Sequence, residues 1–218
     1  MVISPVLNGM DLQYSKLPLD KLELLIPQLN NKSYAILDDF LPPKALHEIL
    51  NYAKNKLEFG EMRDAKIGTK SDQVVYHQRG DKILWLENPH PVDCLNDYFN
   101  ILNNLLTLIN RSFYLSLKRF ESMIAYYPIG SFYKKHLDQH QNSPHRQISC
   151  ILYLSPWTSN GGELLLDLKG ENLTIEPIQN RFICFLSSEV PHEVMPVRAG
   201  ERFSLTSWLR NDLDLFLN

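Results

Sequence analysis

Three residues in this 218-residue chain have the types and spacing to grip a metal ion. His136 and Asp138 stand two apart in YKKHLDQH, and His192 follows far downstream in PHEV. On a strand, residues i and i+2 face the same side, so the imidazole and the carboxylate converge there. Two histidines and one carboxylate suit a non-haem Fe(II) ion held on one face, with adjacent coordination positions left open. A closed structural zinc site would need a fourth ligand, usually thiolate or imidazole. Cys94, Cys150 and Cys184 lack CxxC spacing and are not placed to supply one; they read as buried reduced thiols. His140 and His145 fall in a Gln/Asn/Ser/Pro loop and read as solvated. His47 and His77 lie outside the sheet, with no carboxylate at ligand spacing.

Ten residues after His192 comes Arg202, in AGERFSLTSW. Ala199-Gly200 reads as a hairpin turn, which would put His192 and Arg202 on neighbouring strands. Within RFSLTSWLR, Phe203, Leu205 and Leu209 share one face, and Arg202, Ser204, Thr206 and Trp208 share the other. RQISCILYLS splits the same way, with Ile148, Cys150, Leu152 and Leu154 opposite Gln147, Ser149, Ile151 and Tyr153. A polar row turned inward is costly unless it holds something. A carboxylate ligand would match the guanidinium fork of Arg202, with hydroxyl donors from Tyr153 and Thr206. The competing reading is an ordinary ion pair between Arg202 and Glu201 or Glu163.

The elements that must position these residues fall in two parts. From about Leu117 onward the apolar period is two, over KRFESMIAYY, FYKKHLD, RQISCILYLS, GELLLDL, NLTIEPI, RFICFLS, HEVMPV and RFSLTSWLR. So many short strands predict an antiparallel sandwich or barrel of jelly-roll type. Before that, Ala45, Leu46, Ile49, Leu50, Ala53 and Leu57 recur at helical steps after Pro42-Pro43. A second helix is predicted from about Pro91 to Ser112, its stripe running from Val92 through Leu95, Tyr98, Phe99, Leu102, Leu105 and Leu106 to Ile109. Both stripes are wide enough to cover a sheet. The expected class is mostly β with α support: one domain over 1–218, helical to about 115, with the β core from about 117 to 210.

Composition narrows the function. Lys+Arg 22 against Asp+Glu 25 gives a net charge of −3, which excludes a broad basic face for nucleic acid. No apolar run approaches the length of a membrane span. The start, MVISPVLNGM, lacks a basic region followed by an apolar one, so no secretory signal is read and a cytoplasmic protein is expected.

Taken together these stretches resemble the 2-oxoglutarate- and iron-dependent dioxygenases of the prolyl 4-hydroxylase superfamily, and within them the EGL-nine type, the HIF prolyl hydroxylases and their bacterial relatives. The resemblance runs roughly over residues 33–210. It is carried by HQRGDKILWLE (77–87), AYYPIGSFYKKHLD (125–138), CILYLSPW (150–157), NGGELLLD (160–167) and PHEVMPVRAGERFSLTSW (191–208). It implies a double-stranded β-helix with N-terminal helices packed on the major sheet. His136, Asp138 and His192 would bind Fe(II), and Arg202 the distal carboxylate of 2-oxoglutarate, assisted by Tyr153 and Thr206. Tyr127 would border the cosubstrate, while Arg79, Asp81, Trp85, Arg146 and Trp208 match positions near the peptide entrance. Two departures from the animal enzymes stand out: YYPIGSFYKKH is one residue shorter before its histidine, and the DQHQNSPHRQ loop differs.

The implied reaction is hydroxylation of a prolyl residue in a proline-containing loop or peptide of a protein. It would consume 2-oxoglutarate and dioxygen, with ascorbate as a supporting reductant, in a monomer with no nucleic-acid or membrane partner. The alternatives are the same chemistry on another side chain or small molecule, and a catalytically silent metal- or 2-oxoglutarate-binding module. One further expectation concerns the segment from Phe59 to Gly80. It has little apolar anchoring before Val74 and is predicted to be a lid over substrate, with Arg79 and Asp81 pairing or contacting substrate as it closes; the alternative is an ordinary surface loop.

Overall fold

The computed structural model describes residues 19–65, 78–157 and 160–213. Four helices precede or interrupt the strands: α1 (Leu19–Leu22), α2 (Leu25–Lys32), α3 (Pro43–Glu58) and α4 (Asp93–Phe113). The strands are β1 (Tyr34–Leu37), β2 (Arg63–Asp64), β3 (Lys82–Leu86), β4 (Arg119–Tyr127), β5 (Tyr133–His136), β6 (Arg146–Tyr153), β7 (Leu164–Leu168), β8 (Glu171–Ile175), β9 (Phe182–Leu186), β10 (His192–Val194) and β11 (Arg202–Arg210). They form two antiparallel sheets, a major one ordered β1-β9-β6-β11-β4-β3-β2 and a minor one ordered β5-β10-β7-β8. This is the jelly roll expected from the alternation, and all eight predicted strands are present.

Both long helices begin and end where the chemistry directs. Pro43 opens α3, where a missing N–H leaves no bond unmade, and Ala45, Leu46, Ile49, Leu50 and Ala53 are buried on one face. The α4 stripe buries Leu95, Tyr98, Phe99, Leu102, Leu105 and Ile109, and the helix ends at Tyr114 in the left-handed region. These faces pack on Ile148, Cys150, Leu152, Leu154, Phe203, Leu205 and Leu209, so one core lies between the helices and the major sheet. A second core, including Ile151, Leu164, Leu166, Ile183 and Phe185, lies between the two sheets. The alternation along β6 and β11 therefore divides two cores, as the sequence pattern demands. Asn180 pins the loop before α3 to the start of β9: its side chain accepts from the Leu41 amide and donates to the Leu41 carbonyl, both at 2.8 Å. Phe40 stacks on Phe182 at 4.1 Å just beyond.

Three features differ from expectation. The segment read as helical also supplies β1, β2 and β3, which lengthen the major sheet to seven strands. YAIL and KILWL are short runs beside helices, and pairing with β9 and β4 rather than local pattern makes them strands. His192 and Arg202 do not lie on neighbouring strands. β10 pairs with β5 and β7 in the minor sheet, whereas β11 pairs with β4 and β6 in the major one. The chain through Val197 and Gly200 crosses from one wall of the roll to the other, so the two residues sit on opposite sheets.

Candidate metal and cosubstrate site

β5 ends at His136, and Asp138 sits in the bend after it, so the two side chains converge through a strand end rather than strand alternation. His192 opens β10 and is the Cα partner of His136 across the ladder. His136 Nε2 lies 3.6 Å from Asp138 Oδ1, and His192 Nε2 lies 3.6 Å from Asp138 Oδ2. Among the described residues these three form the one group of His, Cys, Asp or Glu whose ligand atoms cluster closely enough to hold a metal ion, all within 4.8 Å.

The tautomers are fixed from behind. His136 Nδ1 is 2.7 Å from the Lys134 carbonyl and His192 Nδ1 is 3.1 Å from the Val190 carbonyl. A carbonyl only accepts, so each Nδ1 carries the proton and each Nε2 keeps its lone pair for a metal. Burial lowers His192 to about 4, which keeps its ring neutral and its Nε2 lone pair available. Burial alone would raise Asp138, but the two histidines and a hydrogen bond from Ser149 hold it well below the carboxylate range. His136 is braced on its open side by Tyr133, stacked at 3.6 Å, and Arg79 lies over the other face of this pair, 4.2 Å from the Tyr133 ring centroid.

On the opposite wall Arg202 is buried and makes no ion pair among the described residues. Its Nε donates to the Gly162 carbonyl at 2.8 Å and its Nη1 to Ser204 Oγ at 3.4 Å. The guanidinium lies 4.6 Å from the Tyr127 ring centroid and 5.1 Å from that of Tyr153. The ion-pair reading with Glu201 fails because Glu201 faces outward and pairs with Lys54. Tyr153 Oη is buried with no hydrogen-bond partner among the described residues; Ser204 stands opposite Tyr153 on the ladder, and Thr206 is buried two residues further along the same inward row, opposite Ile151. A cation without counter-charge and an orphaned hydroxyl fit a dicarboxylate whose far end reaches this wall. Gly162, at φ +78°, permits the close approach, since a Cβ there would stand 3.0 Å from Arg202 Cδ.

Four of the five residues read as bordering a peptide entrance line a cleft of about 1010 Å³ that also reaches Asp138; Asp81 is not in its lining. Arg79, Trp85, Arg146 and Trp208 all lie in its wall, with Met123 and Tyr133. Arg146 stacks over Trp208 at 3.7 Å and donates to Glu121 at 2.7 Å, while Trp85 lies 5.9 Å from Trp208. Arg79 and Asp81 are not a surface pair: two bonds of 2.7 and 2.5 Å join them in a buried position. Most of the predicted lid, residues 66–77 with His77, lies outside the described residues. His140 reaches the cleft but not the ligand cluster, and its Nδ1 accepts from the Asn142 amide at 3.2 Å. His145 contacts Asn211 instead. Sequence reasoning missed the Gly162 carbonyl, Tyr133 and Ser149; the one available signal was their nearness to NGGELLLD, to His136 and to the inward row.

Residues 122–210 match the sequence profile of the 2OG-Fe(II) oxygenase superfamily. The prolyl hydroxylase EGLN3 of Mus musculus is 31% identical over 206 residues, covering 88% of this chain and 85% of its own. The crystal structure of a Pseudomonas putida prolyl-4-hydroxylase superposes with a TM-score of 0.80 at 32% identity, over 87% of this chain and 98% of that one. A Trichoplax adhaerens prolyl hydroxylase in complex with a hypoxia inducible factor oxygen degradation domain peptide fragment superposes at 0.81 with 25% identity, over 93% and 94%.

Proposed function

This chain belongs to the 2-oxoglutarate- and Fe(II)-dependent oxygenases, beside the EGLN prolyl hydroxylases, and from that membership we propose that it hydroxylates a prolyl residue in a protein substrate. The observation that carries the reading is Arg202, buried without a carboxylate partner among the described residues, opposite a histidine–aspartate–histidine cluster. His136 and His192 would hold Fe(II) through Nε2, and Asp138 through one carboxylate oxygen. Arg202, Tyr153 and Thr206 would hold the distal carboxylate of 2-oxoglutarate, with Tyr127 flanking it. When bound, the metal and cosubstrate supply oxidative decarboxylation with dioxygen, which yields succinate, carbon dioxide and one oxygen atom for the substrate.

The rest of the work is placement by the chain itself. Trp208, Trp85 and Met123 give the cleft an apolar wall against which a proline ring can lie near the metal cluster. Asp81 neutralises Arg79, which therefore shapes that wall, whereas Arg146 shares Glu121 with Arg210 and keeps part of its charge toward the cleft. The three cysteines are free and buried, which suits a reducing compartment and supports a cytoplasmic location. The chain would act as a single oxygenase domain.

The test compares proteomes of cells containing wild-type protein and a His136→Ala variant by mass spectrometry. We expect a proline that gains one oxygen atom with the wild type and not with the variant. Purified His136→Ala, Asp138→Ala and His192→Ala should each lose 2-oxoglutarate-dependent succinate formation. Retention of near-normal turnover in any of them would overturn the triad. Oxygen insertion at a different side chain would keep the chemistry and replace the substrate.

A further inference from the structure

Behind the metal cluster lies a pair of serines that the reaction as described does not use. Ser149, on the inward face of β6, and Ser187, just past the end of β9, are both completely buried. Ser149 Oγ is 2.6 Å from Asp138 Oδ2, and Ser187 Oγ is 2.8 Å from Ser149 Oγ. An ionised carboxylate only accepts hydrogen bonds, so the Ser149 proton points at Asp138. That leaves the Ser149 oxygen to accept, and the Ser187 proton must point at Ser149. The carboxylate thereby sets the direction of both hydroxyls.

The backbone around Ser187 reinforces this arrangement. Its N–H donates to the Gln147 carbonyl at 3.0 Å, and its carbonyl accepts from the Gln139 amide at 3.2 Å. Gln139 directly follows Asp138, so Ser187 grips the ligand-bearing bend through its main chain while its hydroxyl feeds the same carboxylate through Ser149. Asp138 lies beyond the end of β5 and has no ladder bond of its own to orient it.

We propose that Ser149 and Ser187 form a directional two-hydroxyl relay that positions Asp138, occupying one carboxylate oxygen so that the aspartate presents the other to the metal. The inference rests on the metal-binding reading of the triad. Ser149 is a positioning residue, and Ser187 acts through it. A carboxylate held on one oxygen by a charge-assisted bond is shorter-tethered and better aimed than one free to rotate.

The experiment is titration of the full chain with Mn(II), without peptide or 2-oxoglutarate, followed by the paramagnetic signal of free Mn(II). Ser149→Ala should weaken Mn(II) binding by about 10- to 100-fold, the usual range for loss of a group that supports a ligand. Ser187→Ala should weaken it less, and Ser149→Ala/Ser187→Ala no more than Ser149→Ala alone, because the Ser187 hydroxyl has no route to Asp138 except through Ser149 and its main-chain bonds survive the substitution. Ser149→Thr, which keeps the hydroxyl, should recover most of the affinity. Additive losses would overturn the relay, and so would a Ser149→Ala affinity indistinguishable from wild type. A merely structural role would lower the melting temperature of the metal-free variants while leaving Mn(II) affinity intact, which also overturns it. Should Ser149→Ala not fold, Ser187→Ala decides alone, unchanged affinity counting against the proposal. No peptide is present, so failure to find a hydroxylated proline leaves this result standing. Failure of the wild type to bind Mn(II) removes both the triad and the relay.

Discussion

Two buried arginines mark the two ends of the site, and they are held in opposite ways. At the mouth, Arg79 is 8% exposed and Asp81 meets it with two short hydrogen bonds. Inside the roll, Arg202 is 5% exposed and meets a backbone carbonyl, a serine hydroxyl and two tyrosine rings, with no carboxylate among the described residues. Burial opposes the Arg79 charge, but Asp81 more than offsets it and holds the group above its ordinary value. The first cation is complete and is part of the wall. The second has no counter-charge among the described residues, which leaves it free to take an anionic ligand. Comparable burial with different partners separates architecture from recognition more sharply than either arginine does alone.

The comparison can be broken first at the mouth. Asp81→Ala leaves Arg79 buried without its partner, and should cost about 3–5 kcal/mol of folding stability, read by urea denaturation. The loss should be the same with or without 2-oxoglutarate. A stability near wild type would mean that the pair is not structural.

Inside the roll the expected effect is smaller and of another kind. Arg202→Lys keeps the cation but loses the planar fork, and should weaken 2-oxoglutarate binding to the metal-loaded chain by about 2 kcal/mol, with Mn(II) affinity preserved. Arg202→Met should leave the ligand-free chain as stable as wild type or more so, because an uncompensated buried charge has been removed. If instead it unfolds as easily as Asp81→Ala, the two arginines play the same part and the contrast collapses.

Acid separates the two ends in a third way. The His192 pKa falls from 6.5 unfolded to about 4 when buried, so between those values the unfolded chain binds more protons than the folded one. Metal-free stability should therefore decline as pH falls from 6.5 toward 4, by several degrees of melting temperature, while Arg79 keeps its charge throughout. His192→Asn should flatten that slope; an unaltered slope would place the titration elsewhere.

What the sequence made legible follows from which interactions are local. The eight strands from Arg119 onward show because period-two alternation is written residue by residue, and the inward row of Arg202, Ser204, Thr206 and Trp208 is read from the same period. The triad shows because its residue types are unusual in combination. The crossing between His192 and Arg202 does not show, since a glycine-bearing ten-residue interval looks like a hairpin and only the pairing of β10 with β5 and β7 decides otherwise. Strand alternation also accounts wrongly for Asp138, because the ladder stops at His136. The 162 carbonyl is invisible for a different reason: any residue supplies a carbonyl, and its use depends on the close approach that glycine permits. Ser149 and Ser187 are silent because buried serines are common and their partners are distant in sequence, in the bend after β5 and across β6 and the end of β9.

The two walls of the roll are also unequal in girth. β4, β6 and β11 run for nine, eight and nine residues and lean on helices, whereas β5 and β10, which carry the histidines, run for four and three. A thin wall with few ladder bonds opens at lower free energy than a thick one. A molecule gripped by Arg202 on one side and by the metal ligands on the other would tie the two together, and its binding free energy would be added to whatever resists their parting. Occupancy would then act as a brace on the weaker wall: the filled roll would breathe less at β5 and β10, and the release of spent cosubstrate would be coupled to how readily that short ladder comes apart.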